Sequence, residues 1–519
     1  MLPDPTSRPA SPSLSPPPSF QHLSLVGGIR AAMYRAPGKI AYRHGERTRT
    51  YRDLINRVDG VTAALTAGLG LKPGQHGAII GKNSIEYMEI VLGVSQAGVA
   101  LATVNPRLSL PEIVAICDDA AARVIFADPE LAVTLRDARL VSQPVIIAIG
   151  AEFEAWLAKA RPGSAPPAVR EWDDFTIPYT SGTTGKPKGV QVPHRSRILT
   201  LFGMAVEYGC YAPDDRFLAI APMCHGAGMI FSLAPVFFGG YAEIIDKFEP
   251  EDVLAKLGGQ QITGFFGVPT HFHALLSVGP ALLAASRSTS LKTVISNAAA
   301  LPQAMKERLV AHFGPGLLHE TYGSTEAGIV ANLRPPDQLR KLQCVGQPFP
   351  CTEVELRRQD GTECGVDEVG ELFSRSPYLF NGYWGRPQET AEAFRNGWVT
   401  VGDLARRDSE SYLYIVDRLK DMVISGGVNI YPREVEEVIV QHPGVQETAV
   451  IGVPDEKWGE VLKAFVVPRA GTDLSAEALL AFLEPRIARM KLPKHVEFIR
   501  QIPRNANGKV LKTALRTRG

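Results

Sequence analysis

Cysteine is scarce in this chain and never paired at short range. The six residues Cys117, Cys210, Cys224, Cys344, Cys351 and Cys364 form no Cys-x-x-Cys pair and no zinc spacing. That excludes a disulfide scaffold and a thiolate metal centre, and it favours a reduced, cytoplasmic setting. Long hydrophobic runs are missing too. The longest apolar stretch, residues 90–104, is broken by Ser95 and Gln96 and is too short to cross a bilayer. Nor is charge of one sign in excess. Lys and Arg number 55 against 54 Asp and Glu, which leaves no basic field to hold nucleic acid. The first twenty residues carry proline, serine and a single basic residue, Arg8, without an apolar segment. They read as a disordered tail rather than a signal or transit peptide. No repeat at solenoid periods is visible.

What the chain does have is length and rhythm. At 519 residues it exceeds one hydrophobic core, so at least two domains are expected. Helical apolar spacing over 51–69 and 84–97 alternates with β-branched runs at 77–80 and 123–127, and the rhythm resumes at 261–268 and 291–296. Such alternation predicts an α/β fold with largely parallel sheets. From residue 361 shorter strands take over. After the charged stretch 417–421 the order is helix 432–442, strand 447–453, strand 461–467 and helix 475–488. The expected organisation is a disordered tail over 1–22, a large multi-sheet domain over 23–418 and a small α+β domain over 421–519, divided at Lys420.

The densest chemistry lies in Tyr179-Thr180-Ser181-Gly182-Thr183-Thr184-Gly185-Lys186-Pro187-Lys188-Gly189-Val190. Glycines let backbone N–H groups converge on one anion, hydroxyls add short donors, and lysines add charge. This is not a Walker A loop, because the position five after Gly182 is Pro187 and residues 190–192 look like a strand. The pattern reads as a strand–loop–strand clamp for a polyphosphate. A mobile hairpin with solvated lysines is the plain alternative.

Four further groups are weaker alone. Glu320-Thr321-Tyr322-Gly323-Ser324-Thr325-Glu326-Ala327-Gly328 offers a ring to stack on a base, a hydroxyl for a phosphate and a carboxylate for a hard cation. It is equally a polar turn with a helix N-cap at Thr325. Asp403, just past the strand-like 398–401, can take both ribose hydroxyls, although Gly-Asp is a common turn. His225 stands among Gly226, Ala227 and Gly228, either as a core histidine or at the edge of a ligand pocket. Lys509, on an Asn-Gly turn, is by itself as readily a solvated lysine.

In this order, the loop 179–190, Tyr322-Gly323-Ser324-Thr325-Glu326, Gly402-Asp403, Asp417-Arg418-Leu419-Lys420-Asp421, Ser425-Gly426-Gly427 and Gly508-Lys509 resemble the adenylate-forming superfamily. That superfamily includes acyl-CoA synthetases, nonribosomal adenylation domains and luciferase-like enzymes. The resemblance runs from about residue 31 to the C-terminus. Pro454-Asp455-Glu456-Lys457-Trp458-Gly459-Glu460 is most similar to CoA ligases of fatty or aromatic acids.

The resemblance implies two half-reactions. ATP and a carboxylate give an acyl-adenylate and pyrophosphate, and the thiol of CoA then displaces AMP. It assigns Thr180, Ser181, Gly182, Thr183, Thr184 and Lys188 to the phosphates, Thr325 to the α-phosphate, and Glu326 with Thr183 to Mg²⁺. Ala298, Glu320, Thr321 and Tyr322 fall on the nucleotide, with Asp403 and Arg418 on its ribose. Lys509 bridges the substrate carboxylate and the α-phosphate, Lys420 is the hinge, and Gly426, Gly427 and Asn429 line the CoA channel. His225, Met229, Phe266, Asn297, Gly323 and Ile329 line the acyl pocket, which His225 closes.

No Lys or Arg occurs in the pocket segments, so a second carboxylate would be left unpaired there. An apolar monocarboxylic acid is expected, aryl or medium-chain to long-chain aliphatic. Ser296-Asn297-Ala298-Ala299-Ala300-Leu301 departs from the usual Ser-Gly-Gly/Ala-Ala-Pro-Leu, and Val401 replaces the threonine usual before Gly402-Asp403. The alternatives are a stand-alone enzyme that loads a carrier protein and a non-catalytic nucleotide-binding protein. The former, if aminoacyl-specific, wants an acidic residue after His225, and none is there. Retention of Glu326, Asp403 and Lys509 opposes the latter. A homodimer is compatible with all of this.

Overall fold

The computed structural model describes residues 23–161, 165–181, 187–504 and 510–517, so the tail 1–22 lies outside the described residues. The protein is mixed α/β and divides into two compact units. One comprises Met1–Asn297, Ala311–Leu317 and Pro377–Pro387, and the other Ala298–Val310, Leu318–Ser376 and Gln388–Gly519.

The first unit holds two mainly parallel sheets. In one, His76–Ile80, Ala100–Thr103, Ala122–Ala127 and Val145–Ala148 run parallel, with Ala78 opposite both Ala102 and Ile125. All five residues of His76–Ile80 are buried, as expected of a strand covered on both faces. The expected helices form at Tyr51–Ala63 and Ile85–Gln96. Their N-caps are Thr50 and Ser84, whose hydroxyls accept from the amides of Asp53 and Tyr87. Pro187–Pro193 extends this sheet antiparallel to Asp174–Thr176 and Gly382–Tyr383. The other sheet aligns Ile40–His44, Tyr241–Ile244, Arg216–Ala219, Gly264–Gly267 and Thr293–Ser296 in parallel.

The second unit is built mainly from antiparallel pairs. Leu318–Ser324 pairs with Gly328–Leu333, and Glu353–Arg357, Gly370–Arg375, Asp403–Arg407 and Leu413–Arg418 form a further sheet. The C-terminal sheet contains Val423–Ser425, Val428–Ile430, Val445–Asp455, Gly459–Pro468 and His495–Phe498. Its faces carry separate cores. Val450 and Leu462 pack with Val435, Ile439, Leu479 and Leu483, while the neighbouring Ile451 and Phe465 pack with Ile502 and Leu515. The helix expected at 475–488 is shorter, Ala476–Leu483, because Pro485 has no N–H to continue the ladder. The helix expected at 432–442 ends at Ile439.

Candidate active site

The flanks of the phosphate loop form the expected strand–loop–strand. Tyr179–Ser181 pairs antiparallel with Pro187–Pro193, setting Thr180 opposite Lys188 and Tyr179 opposite Gly189. Gly182, Thr183 and Thr184 lie outside the described residues. The base of the hairpin is tied down. The Tyr179 hydroxyl donates to Asp119 at 2.8 Å, and Arg386 pairs with the same carboxylate at 2.9 Å. At Gly189 a Cβ would sit 2.7 Å from Ile177 Cγ2, so glycine allows the close approach. Lys188 Nζ lies 5.2 Å from the Tyr383 ring centroid.

In the second unit the sheet register brings three of the expected nucleotide residues together. Asp403 and Arg418 are cross-strand partners, and Arg418 Nε lies 3.0 Å from Asp403 Oδ1. The Tyr322 hydroxyl donates to Asp403 Oδ2 at 2.5 Å. Burial, then the Asp403 charge, raises the Tyr322 hydroxyl well above its ordinary pKa, so it remains a donor. A carboxylate held from both sides still has lone pairs for a diol. Ala298 has a φ of +75°, a backbone conformation that side-chain residues adopt only when their surroundings impose it.

Glu326 is buried in the turn between Leu318–Ser324 and Gly328–Leu333, near enough to add to the Tyr322 shift. No helix starts at Thr325, so the N-cap alternative is not adopted. Among the described residues no three His, Cys, Asp or Glu side chains group to hold a metal. One carboxylate shared with phosphate oxygens suits Mg²⁺, which keeps several of its waters. Bound there, the cation would neutralise phosphate charge. Glu320 has a different place. Its carboxylate accepts from the Leu301 amide at 2.9 Å and pairs with Lys306, itself 1% exposed. That buried pair fixes the approach to the segment carrying Ala298, and nothing in the sequence singled out Lys306.

Leu419–Asp421 is one short helical turn, and Arg516 pairs with Asp421 at 2.8 Å. Gly426 and Gly427 are the two central residues of the hairpin joining Val423–Ser425 to Val428–Ile430, with φ of +57° and +82°. Both positive angles are what the tight two-residue turn requires. Asn429 is exposed beside it. Lys509 lies outside the described residues.

The acyl segments divide between the units. In the second, Gly323 opposes Ile329 across the hairpin. In the first, His225 is the N-cap of helix Gly226–Phe237, Met229 and Phe266 are buried, and Asn297 follows Thr293–Ser296. Phe231 stacks on Phe266 with centroids 4.3 Å apart. Burial lowers the His225 pKa and the charge of Arg107 lowers it further, so the imidazole is neutral near pH 7. His271 falls to about 4 for the same two reasons.

The expectation that no cation reaches these segments needs correcting. Arg197, on helix His194–Tyr208, is 7% exposed and brings Nη2 to 3.3 Å from where a Cβ on Gly226 would stand. Its signal in the sequence was positional. Arg197 occupies the same helical stripe as His194, Leu201, Met204 and Tyr208, all buried.

Comparison with known proteins places the chain in a family. The profile of the AMP-binding enzymes matches residues 29–384, and that of the AMP-binding enzyme C-terminal domain matches residues 434–509. The chain belongs to the AMP-binding enzyme family. A feruloyl-CoA synthase of an Amycolatopsis species is 37% identical over 487 residues, covering 93% of this chain and 96% of that protein. A long-chain-fatty-acid–CoA ligase of Mycobacterium tuberculosis is 34% identical over 476 residues, covering 90% and 92%. Among solved structures, ATP-bound MatB from Rhodopseudomonas palustris superposes with a TM-score of 0.88 at 28% identity, covering 96% and 98%. As a family member, the chain is an AMP-forming acid–thiol ligase that binds the adenine nucleotide. Among its described residues no helix is long and apolar enough to cross a membrane.

Proposed function

We propose that this protein is a cytoplasmic acid–CoA ligase for an acid with an apolar body, aryl or aliphatic. The observation that carries the reading is the Asp403 carboxylate, held between Tyr322 and Arg418 with acceptor capacity to spare. Adenylation brings two anions together, so most of the catalytic task is charge neutralisation. Thr180 to Thr184, Lys188 and Thr325 would meet the phosphates, Glu326 with Thr183 would hold Mg²⁺, which would supply charge neutralisation there, and Lys509 would bridge the acid and the α-phosphate. Pivoting at Lys420 then exchanges Lys509 for the Gly426-Gly427 turn, whose bare backbone admits the pantetheine arm. The stacked Phe231 and Phe266 support an apolar acyl body, and the neutral His225 supports its role as the residue that closes the pocket.

The test is pyrophosphate release across a panel of carboxylic acids, followed by CoA-dependent AMP formation. Lys509→Ala should abolish the first step and spare thioester formation from supplied acyl-adenylate. Equal loss of both steps defeats the division of roles. An acyl-adenylate that CoA does not discharge would favour a carrier-protein thiol instead.

A further inference from the structure

Arg197 is a buried cation with no carboxylate paired to it among the described residues. Its Nε and Nη2 are buried without a hydrogen-bond partner. Burial alone lowers its pKa, to about 10, and no neighbouring carboxylate counters the effect. The group therefore stays charged near pH 7. Buried guanidinium groups are normally paired, because an uncompensated charge in a low-dielectric interior is costly.

The surroundings add positive potential. Nη2 lies beside Gly226, the first residue of the twelve-residue helix Gly226–Phe237. The first backbone bond of that helix runs from Met229 N–H to the His225 carbonyl. The amides of Gly226, Ala227 and Gly228 come before it and have no acceptor among the described residues. A helix start carries roughly half a positive charge, so it repels a guanidinium and attracts an anion. Arg107 contributes a second cationic field at His225. Two donor sets, one from the side chain and one from the backbone, thus stand unused at one point.

We propose that Arg197 and the free amides at the start of helix Gly226–Phe237 form an anion subsite for the far end of the acyl substrate. The enzyme would then prefer acids that carry a second carboxylate at the end of an apolar body. This rests on the acid–CoA ligase reading, in which His225, Met229 and Phe266 line the acyl pocket. It departs from a plain monocarboxylic acid because the cation enters from helix His194–Tyr208, outside the pocket segments. Phe231 and Phe266 would hold the apolar body, and the second carboxylate would pair with Arg197.

The full-length protein is assayed for pyrophosphate release with matched pairs: suberate against octanoate, and 3-(4-carboxyphenyl)propanoate against 3-phenylpropanoate. The expected result is a kcat/KM at least about tenfold higher for the diacid of a pair, since a monoacid leaves the buried donors unpaired. Arg197→Met should abolish or invert that ratio with the KM for ATP and for CoA unchanged, and Arg197→Lys should retain part of it. Wild-type preference for both monoacids overturns the inference. So does a diacid preference that survives Arg197→Met, or a change confined to the KM for ATP or CoA, which would assign the anion to a phosphate. If Arg197→Met does not fold, the wild-type ratio and Arg197→Lys decide. No pyrophosphate from any acid in a broad panel overturns the ligase reading itself, whereas turnover without a diacid preference overturns the anion subsite alone.

Discussion

The Asp403 carboxylate and the Arg197 guanidinium are both buried charges, and the protein treats them oppositely. Asp403 is gripped by Arg418 on one oxygen and Tyr322 on the other. Arg197 has unpartnered nitrogens and only burial acting on it. A charge paired from within is pre-positioned, so ligand binding need not supply its neutralisation. An unpaired charge costs stability until a ligand arrives, and that cost is returned as selectivity. In the proposed reading, one corner binds what every turnover requires and the other chooses among acids.

The contrast can be broken most forcefully where a pair is deepest. Lys306→Met leaves Glu320 buried and charged, and should destabilise the protein by about 3–5 kcal/mol in urea unfolding. A loss under about 1 kcal/mol would mean that pairing matters little here. Next is His194, which burial holds at a pKa of about 4 and whose ring nitrogens have no hydrogen-bond partner among the described residues. Its folded pKa lies below the unfolded value of about 6.5, so the unfolded chain takes the proton first. Stability should therefore fall as pH drops from about 6.5 towards 4, by up to about 3 kcal/mol, and His194→Gln should flatten that slope in urea midpoints measured across the range.

Asp403→Asn keeps the shape but loses the charge-assisted bonds, so kcat/KM for ATP should drop about 10- to 100-fold with the fold intact by circular dichroism. An unchanged value would remove Asp403 from the nucleotide site. The smallest effect should have the opposite sign. Arg197→Met is expected to leave the ligand-free protein as stable, or more stable by about 1 kcal/mol, in the same unfolding assay. A loss above about 2 kcal/mol would reveal a partner for Arg197 and end the contrast.

Local chemistry was legible in the sequence and long-range register was not. The strands around the phosphate loop follow from nearby residues, so composition foretold them, whereas Gly426 and Gly427 were expected only to line the CoA channel and their tight turn was not foreseen. Asp403 and Arg418 were each recognised, yet their direct opposition depends on the pairing of Asp403–Arg407 with Leu413–Arg418. Glu320 looked like part of a ligand cluster because its partner sits on another element, helix Gln303–Phe313. Arg197 was missed for a related reason. Its meaning depends on how helix His194–Tyr208 meets the start of Gly226–Phe237, which no spacing in the sequence encodes.

Glycines at the start of that second helix differ in how much change they allow. A Cβ on Gly228 would lie 2.0 Å from the Pro222 carbonyl oxygen, and backbone cannot move aside cheaply. At Gly226 the obstacle among the described residues is the end of a flexible arginine, 3.3 Å away. An engineer seeking a new acid should leave position 228 untouched and diversify 197, 226 and 227 together.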